Sequence, residues 1–239
     1  MINRPLFLLI AAIPALAQPY RAPRTANGQP DLQGIWQAQT TASYDIEAHA
    51  AKLGMPAGLG IVVGGEIPYT AEAAAKRRQN FQNRATADPN NKCFLPGVPR
   101  ANYLPLPFQI FQTTKDVAIL YEYVHAYRLI RMDGKHPEDV DFWMGDSRGH
   151  WDGDTLVVDV SDNNDQTWLD ASGNFHSDAL HVVERYTRTG PDTIGYEATI
   201  EDPKVFTKPW KISLSLYRQT GKNLQLMEYD CYAYEEPSK

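Results

Sequence analysis

The chain has 239 residues, a formal net charge of −6 at pH 7, and 43% apolar, 22% charged and 11% aromatic residues. This is the composition of a globular protein, and it excludes a disordered, collagen-like or coiled-coil chain. A chain of this length can bury a hydrophobic core without depending on metals or disulfides. The acidic balance argues against nucleic acid as a partner.

The beginning of the chain has the pattern of a secretory signal peptide. Arg4 gives a positive start, residues 5–16 are almost entirely apolar, and Ala15-Leu16-Ala17 forms an A-x-A cleavage site. The apolar run is too short to span a bilayer, and no later segment is apolar enough to do so. A buried N-terminal helix is the alternative. We expect a signal peptide over 1–17 and a secreted or periplasmic protein without a membrane span.

Two cysteines in an exported chain indicate one disulfide, Cys93 to Cys231. Closing a loop of this size would stabilise the fold by roughly 5 kcal/mol according to the chain-entropy model. Two buried thiols are the alternative. A cysteine metal site is not indicated, because neither residue has a neighbour at ligand spacing.

The mature chain, 18–239, is predicted to form one domain that begins with a helical and loop extension over 18–107. The predicted elements of this extension are a short strand over 31–37, helices over 44–53 and 70–83, and a loop over 87–107. The second helix has Thr70 at its N-cap and alanines of high helix propensity behind it. The loop carries five prolines. Such long irregular segments are usually functional or wrap the outside of a domain.

From Phe108 onward the chain is rich in strands. They are predicted over 108–113, 117–132, 148–151, 155–160, 181–189, 193–201, 210–218 and 224–234. Ile194, Tyr196, Ala198 and Ile200 alternate with more polar residues, which indicates one buried face and antiparallel pairing. We predict a mainly β fold, an antiparallel up-and-down barrel or strongly curved sheet of about nine strands, with one or two short N-terminal helices.

Gly34-Ile35-Trp36 resembles the G-x-W signature of lipocalin-like (calycin) barrels. The late arginine that usually packs over this tryptophan is not identified from the sequence. Five segments also resemble a large family of secreted, mostly uncharacterised bacterial proteins: 27–36, 93–100, 107–110, 151–159 and 176–181. This resemblance covers nearly all of the mature chain. It implies export and a barrel-like fold, and it transfers no established catalytic residue.

The most unusual segment is the loop 163–181, which concentrates ionisable residues beside large aromatics. Such a combination suits a small-molecule site, in which aromatics bind and ionisable groups act. A surface loop that uses aspartate and asparagine for its turns is the alternative. The candidate catalytic residues of this loop are His176, His181, Asp165, Asp170 and Asp178, and Trp168 is a candidate for substrate binding.

A second group of candidates lies in the strand predicted over 117–132. Tyr121, Tyr123, His125 and Tyr127 alternate onto one face, which is typical of the wall of a ligand cavity. A hydrogen-bonded histidine in a barrel core is the alternative. Arg128, on the other face, would pair across the sheet or line a pocket. We take His125 as a catalytic candidate, and the three tyrosines and Arg128 as substrate-binding candidates.

Histidine is also the commonest metal ligand, so a metal ion is a candidate cofactor. The candidate ligand set is His125, His176 and His181, with a carboxylate to complete it. No H-x-H, H-E-x-x-H or C-x-x-C motif supports this set, and we expect no other cofactor. The remaining histidines, His49, His136 and His150, are weaker candidates.

We interpret the chain as an exported enzyme that acts on a small cyclic or aromatic molecule by His/Asp general acid–base chemistry. A lyase, isomerase or hydrolase would use such chemistry. One alternative is a non-catalytic, lipocalin-like binding protein, and another is a His-ligated metalloenzyme. The absence of G-x-S-x-G, GxGxxG and P-loop motifs argues against a serine nucleophile and against nucleotides. The sequence leaves the substrate and the oligomeric state open.

Overall fold

A computed structural model describes residues 20–232. The predicted signal peptide lies outside these residues. Nine strands form one closed barrel in chain order, so the prediction of a mainly β, lipocalin-like barrel is confirmed. The strands are β1 Gly34–Ala38, β2 Phe108–Gln112, β3 Asp116–Tyr121, β4 Tyr127–Arg131, β5 Asp146–Asp152, β6 Thr155–Ser161, β7 His181–Gly190, β8 Thr193–Glu201 and β9 Trp210–Arg218.

The barrel has one irregular junction, between β4 and β5. Every other neighbouring pair is antiparallel, whereas β4 and β5 are parallel and pair only at Ile130–Ser147 and Arg131–Arg148. Because consecutive parallel strands start at the same end, residues 132–145 must return along the barrel wall. We call them the return segment. The first half of β4 has no strand partner on this side, and we call the junction the seam.

The core fills the barrel interior. Ile194, Tyr196, Ala198 and Ile200 are fully buried, as their alternation in the sequence predicts. In β7 the buried positions include a charged residue, Glu184, among apolar neighbours. The interior therefore contains at least one buried charge as well as a hydrophobic core.

The N-terminal extension supplies one long helix and two short 3₁₀ helices. The helix α1 spans Ala71–Ala87, and the Thr70 hydroxyl accepts a hydrogen bond from the Ala73 N–H at 3.2 Å, which confirms the predicted cap. The second 3₁₀ helix, Arg100–Tyr103, lies in the proline-rich loop, and all four of its residues are buried. We call it the plug, because its side chains reach the interior of the barrel.

Trp36, in the G-x-W segment, is fully buried beneath an arginine from the last strand. The Arg218 guanidinium lies 4.3 Å from the centroid of the Trp36 ring, and its Nη1 donates to the Gln33 carbonyl at 3.0 Å. The indole N–H donates to the Leu32 carbonyl at 2.8 Å. Arg218, on the last strand, therefore covers the tryptophan of the G-x-W segment.

The predicted helix over 44–53 is wrong. The segment forms turns and two isolated β-bridges, His49 with Gly58 and Lys52 with Met55. Gly54 reverses the chain between the bridged residues Lys52 and Met55, with a φ of +73° that favours glycine. The reversal brings the two arms of the segment together, and their bridges take the place of the predicted helix.

The long strand predicted over 117–132 is also wrong, because it is two strands joined by a turn. Val124 and His125 have φ values of +46° and +52°, and the Ala126 N–H donates to the Tyr123 carbonyl at 3.1 Å. The turn changes the alternation, so Tyr121 is buried inside the barrel whereas Tyr127 is 75% exposed. The four aromatic and histidine residues therefore do not share one face.

The strand predicted over 224–234 is absent from the described part, 224–232. One isolated bridge, Tyr123 with Tyr229, is its only extended pairing there. The disulfide between Cys93 and Cys231 is present, with a Cα–Cα distance of 5.5 Å, as predicted. The C-terminal segment, residues 219–232, is therefore tied across the barrel end. Within residues 20–232, no helix is long and apolar enough to cross a membrane.

Candidate functional site

A cleft of about 580 Å³ opens at the seam, and we call it the seam cleft. Three of the sequence candidates line it: His125, Tyr127 and Arg128. Its larger apolar side chains are Leu95, Leu129, Phe142, Trp143 and Met144. Both the volume and the mostly apolar lining fall in the range of small-molecule sites.

The return segment forms one wall of the seam cleft and is held in place at several points. Phe142 exchanges backbone hydrogen bonds with the chain after β6: its N–H donates to Asp162 O at 2.7 Å, and its carbonyl accepts from the Asn164 N–H at 3.0 Å. The neighbouring Trp143 packs edge-on against Phe94, with ring centroids 5.0 Å apart. The aromatic wall is therefore preformed.

His125 stands at the rim of the seam cleft beside a carboxylate. Its Nε2 lies 3.1 Å from Asp230 Oδ1, and the His125 side chain is 56% exposed. The C-terminal segment that carries Asp230 is held by the disulfide and by a hydrogen bond from the Met227 N–H to Glu122 Oε2 at 2.8 Å. A histidine oriented by a carboxylate at the edge of a cleft is a general acid–base arrangement.

Behind the seam lies a buried ion pair between Arg128 and Glu184. We call this pair, together with the side chains that hydrogen-bond to it, the polar centre. Arg128 Nε also donates to Ser147 Oγ at 2.8 Å. Glu184 Oε1 accepts hydrogen bonds from Tyr196 OH at 2.8 Å and from Tyr186 OH at 3.0 Å. Burial and the Glu184 charge raise the pKa values of both tyrosines well above their usual range, so both remain donors.

The plug is attached to this polar centre through Asn102. Its amide Nδ2 donates to Glu184 Oε1 at 2.8 Å, and its Oδ1 accepts from Tyr121 OH at 2.9 Å. Neither Glu184 nor Asn102 is among the residues that the sequence predicts for the site. Glu184 could have been found from its position between Val182 and Tyr186 in the buried alternation of β7. For Asn102, the sequence carries no comparable signal.

His176 is buried in the loop between β6 and β7, where both ring nitrogens have partners. Thr167 Oγ1 lies 2.7 Å from Nε2, and Nδ1 lies 2.9 Å from the Ser177 carbonyl. A carbonyl only accepts, so Nδ1 carries the proton and Nε2 accepts from the threonine. Burial lowers the pKa of His176, which favours this neutral form. The geometry therefore gives His176 a role in holding the loop.

Asp170 is buried in the same loop and accepts hydrogen bonds from several N–H groups. The backbone N–H of Ile46 donates to it at 2.9 Å, as do those of Ser172 at 2.9 Å and Asn174 at 3.2 Å. Burial and the nearby Asp45 raise the pKa of Asp170 to about 7, against the hydrogen bonds of Asn174 and Ile46, which lower it. These contacts join the loop to the N-terminal extension.

The other candidates of loop 163–181 lie apart from one another. His181 Nε2 contacts Asp159 Oδ1 at 3.0 Å on the outer face of the barrel. Asp178 is exposed and forms an ion pair with Lys204, which lowers the pKa of Asp178. Asp165 accepts a hydrogen bond from Gln166, and Trp168 forms a bridge with Phe175.

The structure therefore places the sequence candidates in different regions. Tyr121 belongs to the polar centre, and the Tyr123 hydroxyl donates to the Asn90 carbonyl at 3.0 Å. Among residues 20–232, the predicted set His125, His176 and His181 does not form a three-ligand group. The seam cleft collects only His125, Tyr127 and Arg128.

Comparison of the chain with family models, with curated proteins and with solved structures finds no match.

Proposed function

We propose that this protein is an exported barrel that binds a small molecule in the seam cleft. The observation that carries the proposal is the cleft itself, about 580 Å³ in volume, at the place where the barrel wall lacks strand pairing. Aromatic walls favour a flat, mostly apolar ligand. Charged side chains at Arg131, Asp141 and Asp146 also line it, so the ligand carries at least one polar group.

The test is a screen of small cyclic and aromatic compounds for binding, read by chemical-shift changes or by thermal shift. Tyr127→Ala and Trp143→Leu should weaken binding of any hit about tenfold or more, because each removes aromatic contact area. Tyr217→Ala, a partly exposed tyrosine on β9, is the matched control. Hits that bind all variants equally would place the ligand elsewhere and reject the proposal.

Acid–base catalysis in the same cleft is the second candidate function, and the His125–Asp230 pair favours it. The imidazole would move a proton and the carboxylate would orient the ring. This differs from the pairing that the sequence indicates, in which Asp165, Asp170 or Asp178 orients a histidine. A lyase, isomerase or hydrolase would fit this chemistry.

Catalysis is tested by incubating the compounds that bind with the protein and following products by mass spectrometry. His125→Gln should remove turnover while binding persists, and Asp230→Asn should reduce it. His150→Gln changes an exposed histidine outside the seam cleft and is the control. Turnover that is equal in the wild type and His125→Gln would contradict catalysis by this residue and leave ligand binding standing.

Export is part of the proposal, and the disulfide supports it, because disulfides persist in oxidising compartments. Expression of the full chain in a bacterial host, followed by fractionation and N-terminal sequencing, tests it. A mature chain that begins at Gln18 in the periplasm or medium is the expected result. Full-length protein confined to the cytoplasm would reject export.

A further inference from the structure

Three ligand-type side chains meet on the outside of the barrel, where the return segment lies beside β5 and the end of β6. His136, Asp146 and Asp162 each offer one ligand atom, and these atoms all lie within 4.8 Å of one another. His136 Nδ1 is 2.8 Å from Asp146 Oδ2 and 4.0 Å from Asp162 Oδ2. All three side chains are largely buried, with 15–27% of their surface exposed.

His136 has a carboxylate oxygen beside each of its ring nitrogens, and a single N–H group cannot donate to both oxygens. Its Nε2 lies 3.2 Å from Asp159 Oδ1, opposite the contact of Nδ1 with Asp146. A neutral imidazole has a single N–H, so it donates to only one of these groups. The other nitrogen then presents a lone pair to a carboxylate oxygen. Such a contact is repulsive unless a second proton or a metal ion supplies positive charge.

Asp159 has the position of an outer partner for a metal-binding histidine. Histidines that bind metals usually donate their second N–H to a carboxylate, which fixes the tautomer and the ring orientation. Asp159 Oδ1 is itself contacted by His181 Nε2 at 3.0 Å, and Glu201 lies 3.9 Å from the other nitrogen of His181. With the proton of His136 on Nε2, its Nδ1 is free to bind an ion between Asp146 and Asp162.

Asp162 provides a second, independent observation on this group. Its Oδ2 is buried and has no hydrogen-bond partner among the described residues. A buried carboxylate oxygen without a donor is costly. Among residues 20–232, Arg148 is the one arginine or lysine in contact with these carboxylates, and Asp146 is the carboxylate that it contacts: Nε is 2.6 Å from Oδ2 and Nη2 is 3.2 Å from Oδ1. The one arginine is therefore outnumbered by four carboxylates: Asp146, Asp159, Asp162 and the nearby Glu201.

We infer that His136 Nδ1, Asp146 Oδ2 and Asp162 Oδ2 bind one divalent transition-type cation, of the class of Zn²⁺ or Mn²⁺. One imidazole nitrogen with two carboxylate oxygens suits these ions, whereas Mg²⁺ and Ca²⁺ prefer oxygen ligands only. Arg148 keeps its hold on Asp146 through Oδ1 when Oδ2 binds the ion. The site would fasten the return segment, through His136, to β5 and to the end of β6.

The test uses the protein without a histidine tag, stripped with EDTA and titrated calorimetrically with ZnCl₂ or MnCl₂. The wild type should bind one equivalent. Asp162→Asn and His136→Gln should each weaken binding about tenfold or more, and Asp159→Asn should do so while leaving all three ligands in place. His150→Gln should bind as the wild type does. MgCl₂ and CaCl₂ should bind far more weakly.

Asp162→Asn separates loss of metal binding from loss of folding. Asp162 has a φ of +56°, and asparagine adopts this conformation readily, so the variant should fold. Its metal-free melting temperature should equal or exceed that of the wild type. Absence of saturable binding up to millimolar metal, or binding that Asp162→Asn and His136→Gln leave unchanged, would overturn the inference. Equal affinity for Mg²⁺ would overturn the assigned class of ion.

Discussion

Gly34 shows how one residue permits the packing of Arg218 over Trp36. Its φ is +132°, and a Cβ built there would lie 2.2 Å from Arg218 Nη1. Any side chain at this position therefore both strains the backbone and displaces the guanidinium. The glycine of the G-x-W segment is needed for the same contact that covers its tryptophan.

Gly34→Ala should lower the free energy of unfolding by about 2–3 kcal/mol or more, measured by urea denaturation. Gly28→Ala is the matched control, because Gly28 also has a positive φ, +79°, but nothing lies within 4 Å of its Cβ position. The control should lose only the backbone term. A loss at Gly34 that is no larger than the loss at Gly28 would contradict a destabilising clash with Arg218.

Asp170 gives a prediction on pH dependence. Its pKa of about 7 lies above that of an unfolded aspartate, so the native state holds the proton over a wider pH range. The group therefore makes the unfolding free energy fall as pH rises from about 5 to about 7, by up to about 1.4 kcal/mol per pH unit.

Urea unfolding of the wild type and Asp170→Asn at several pH values between about 5 and 7 tests this prediction. The variant should be less stable throughout, since its amide cannot accept all of the N–H donors that surround Asp170. It should also show a flatter pH dependence. The same slope in both proteins would contradict the raised pKa of Asp170.

At the scale of elements, most strands follow directly from the sequence because their alternation reflects one buried face. Two of the wrong predictions, the helix over 44–53 and the strand over 117–132, concern places where the chain reverses. Val124 and His125 take left-handed conformations that break the predicted long strand, and a valine, being β-branched, does not signal such a turn. The bridges of His49 with Gly58 and of Lys52 with Met55, which flank the reversal at Gly54, likewise replace the predicted helix over 44–53.

The candidate site is predictable in part, where its residues belong to a strand that the sequence indicates. The sequence predicts His125, Tyr127 and Arg128 as site residues, and all three line the seam cleft. The sequence does not predict Trp143, which lines the cleft, or Asp230, which contacts His125 at its rim. Each is placed by a segment whose path depends on tertiary contacts: the parallel junction of β4 and β5, and the disulfide. No local pattern encodes either.

The disulfide attaches the C-terminal segment, and with it Asp230, to the barrel end. Reduction, or replacement of both Cys93 and Cys231 by serine, should cost about 2–5 kcal/mol of stability, because it frees a loop that spans 138 positions. Thermal unfolding with and without dithiothreitol measures this loss. The double serine variant should not respond to the reductant. A thiol titration should first confirm that the disulfide of the wild type is reduced. A melting midpoint that is nevertheless unchanged would contradict the prediction.

For the whole molecule, the polar centre joins strands on opposite sides of the barrel to the plug. Arg128 on β4 donates to Ser147 on β5 and forms the ion pair with Glu184 on β7. Glu184 accepts hydrogen bonds from Tyr196 on β8 and from Asn102 of the plug. A buried ion pair contributes little net stability by itself, because both charges must be desolvated. Its removal is asymmetric, however, since one charge left without its partner is expensive.

Glu184→Gln should therefore cost about 3–5 kcal/mol, since it leaves the buried Arg128 unpaired. Adding Arg128→Met should recover much of that loss, because it removes the stranded charge. Urea denaturation of the wild type, both single variants and the double variant gives the coupling energy.

Glu184 also holds the plug, because it accepts a hydrogen bond from Asn102. Amide exchange in the plug should therefore accelerate in Glu184→Leu more than in Glu184→Gln, which can still accept from Asn102. Strict additivity of the two substitutions, with unchanged exchange in the plug, would mean that the barrel closes without this centre.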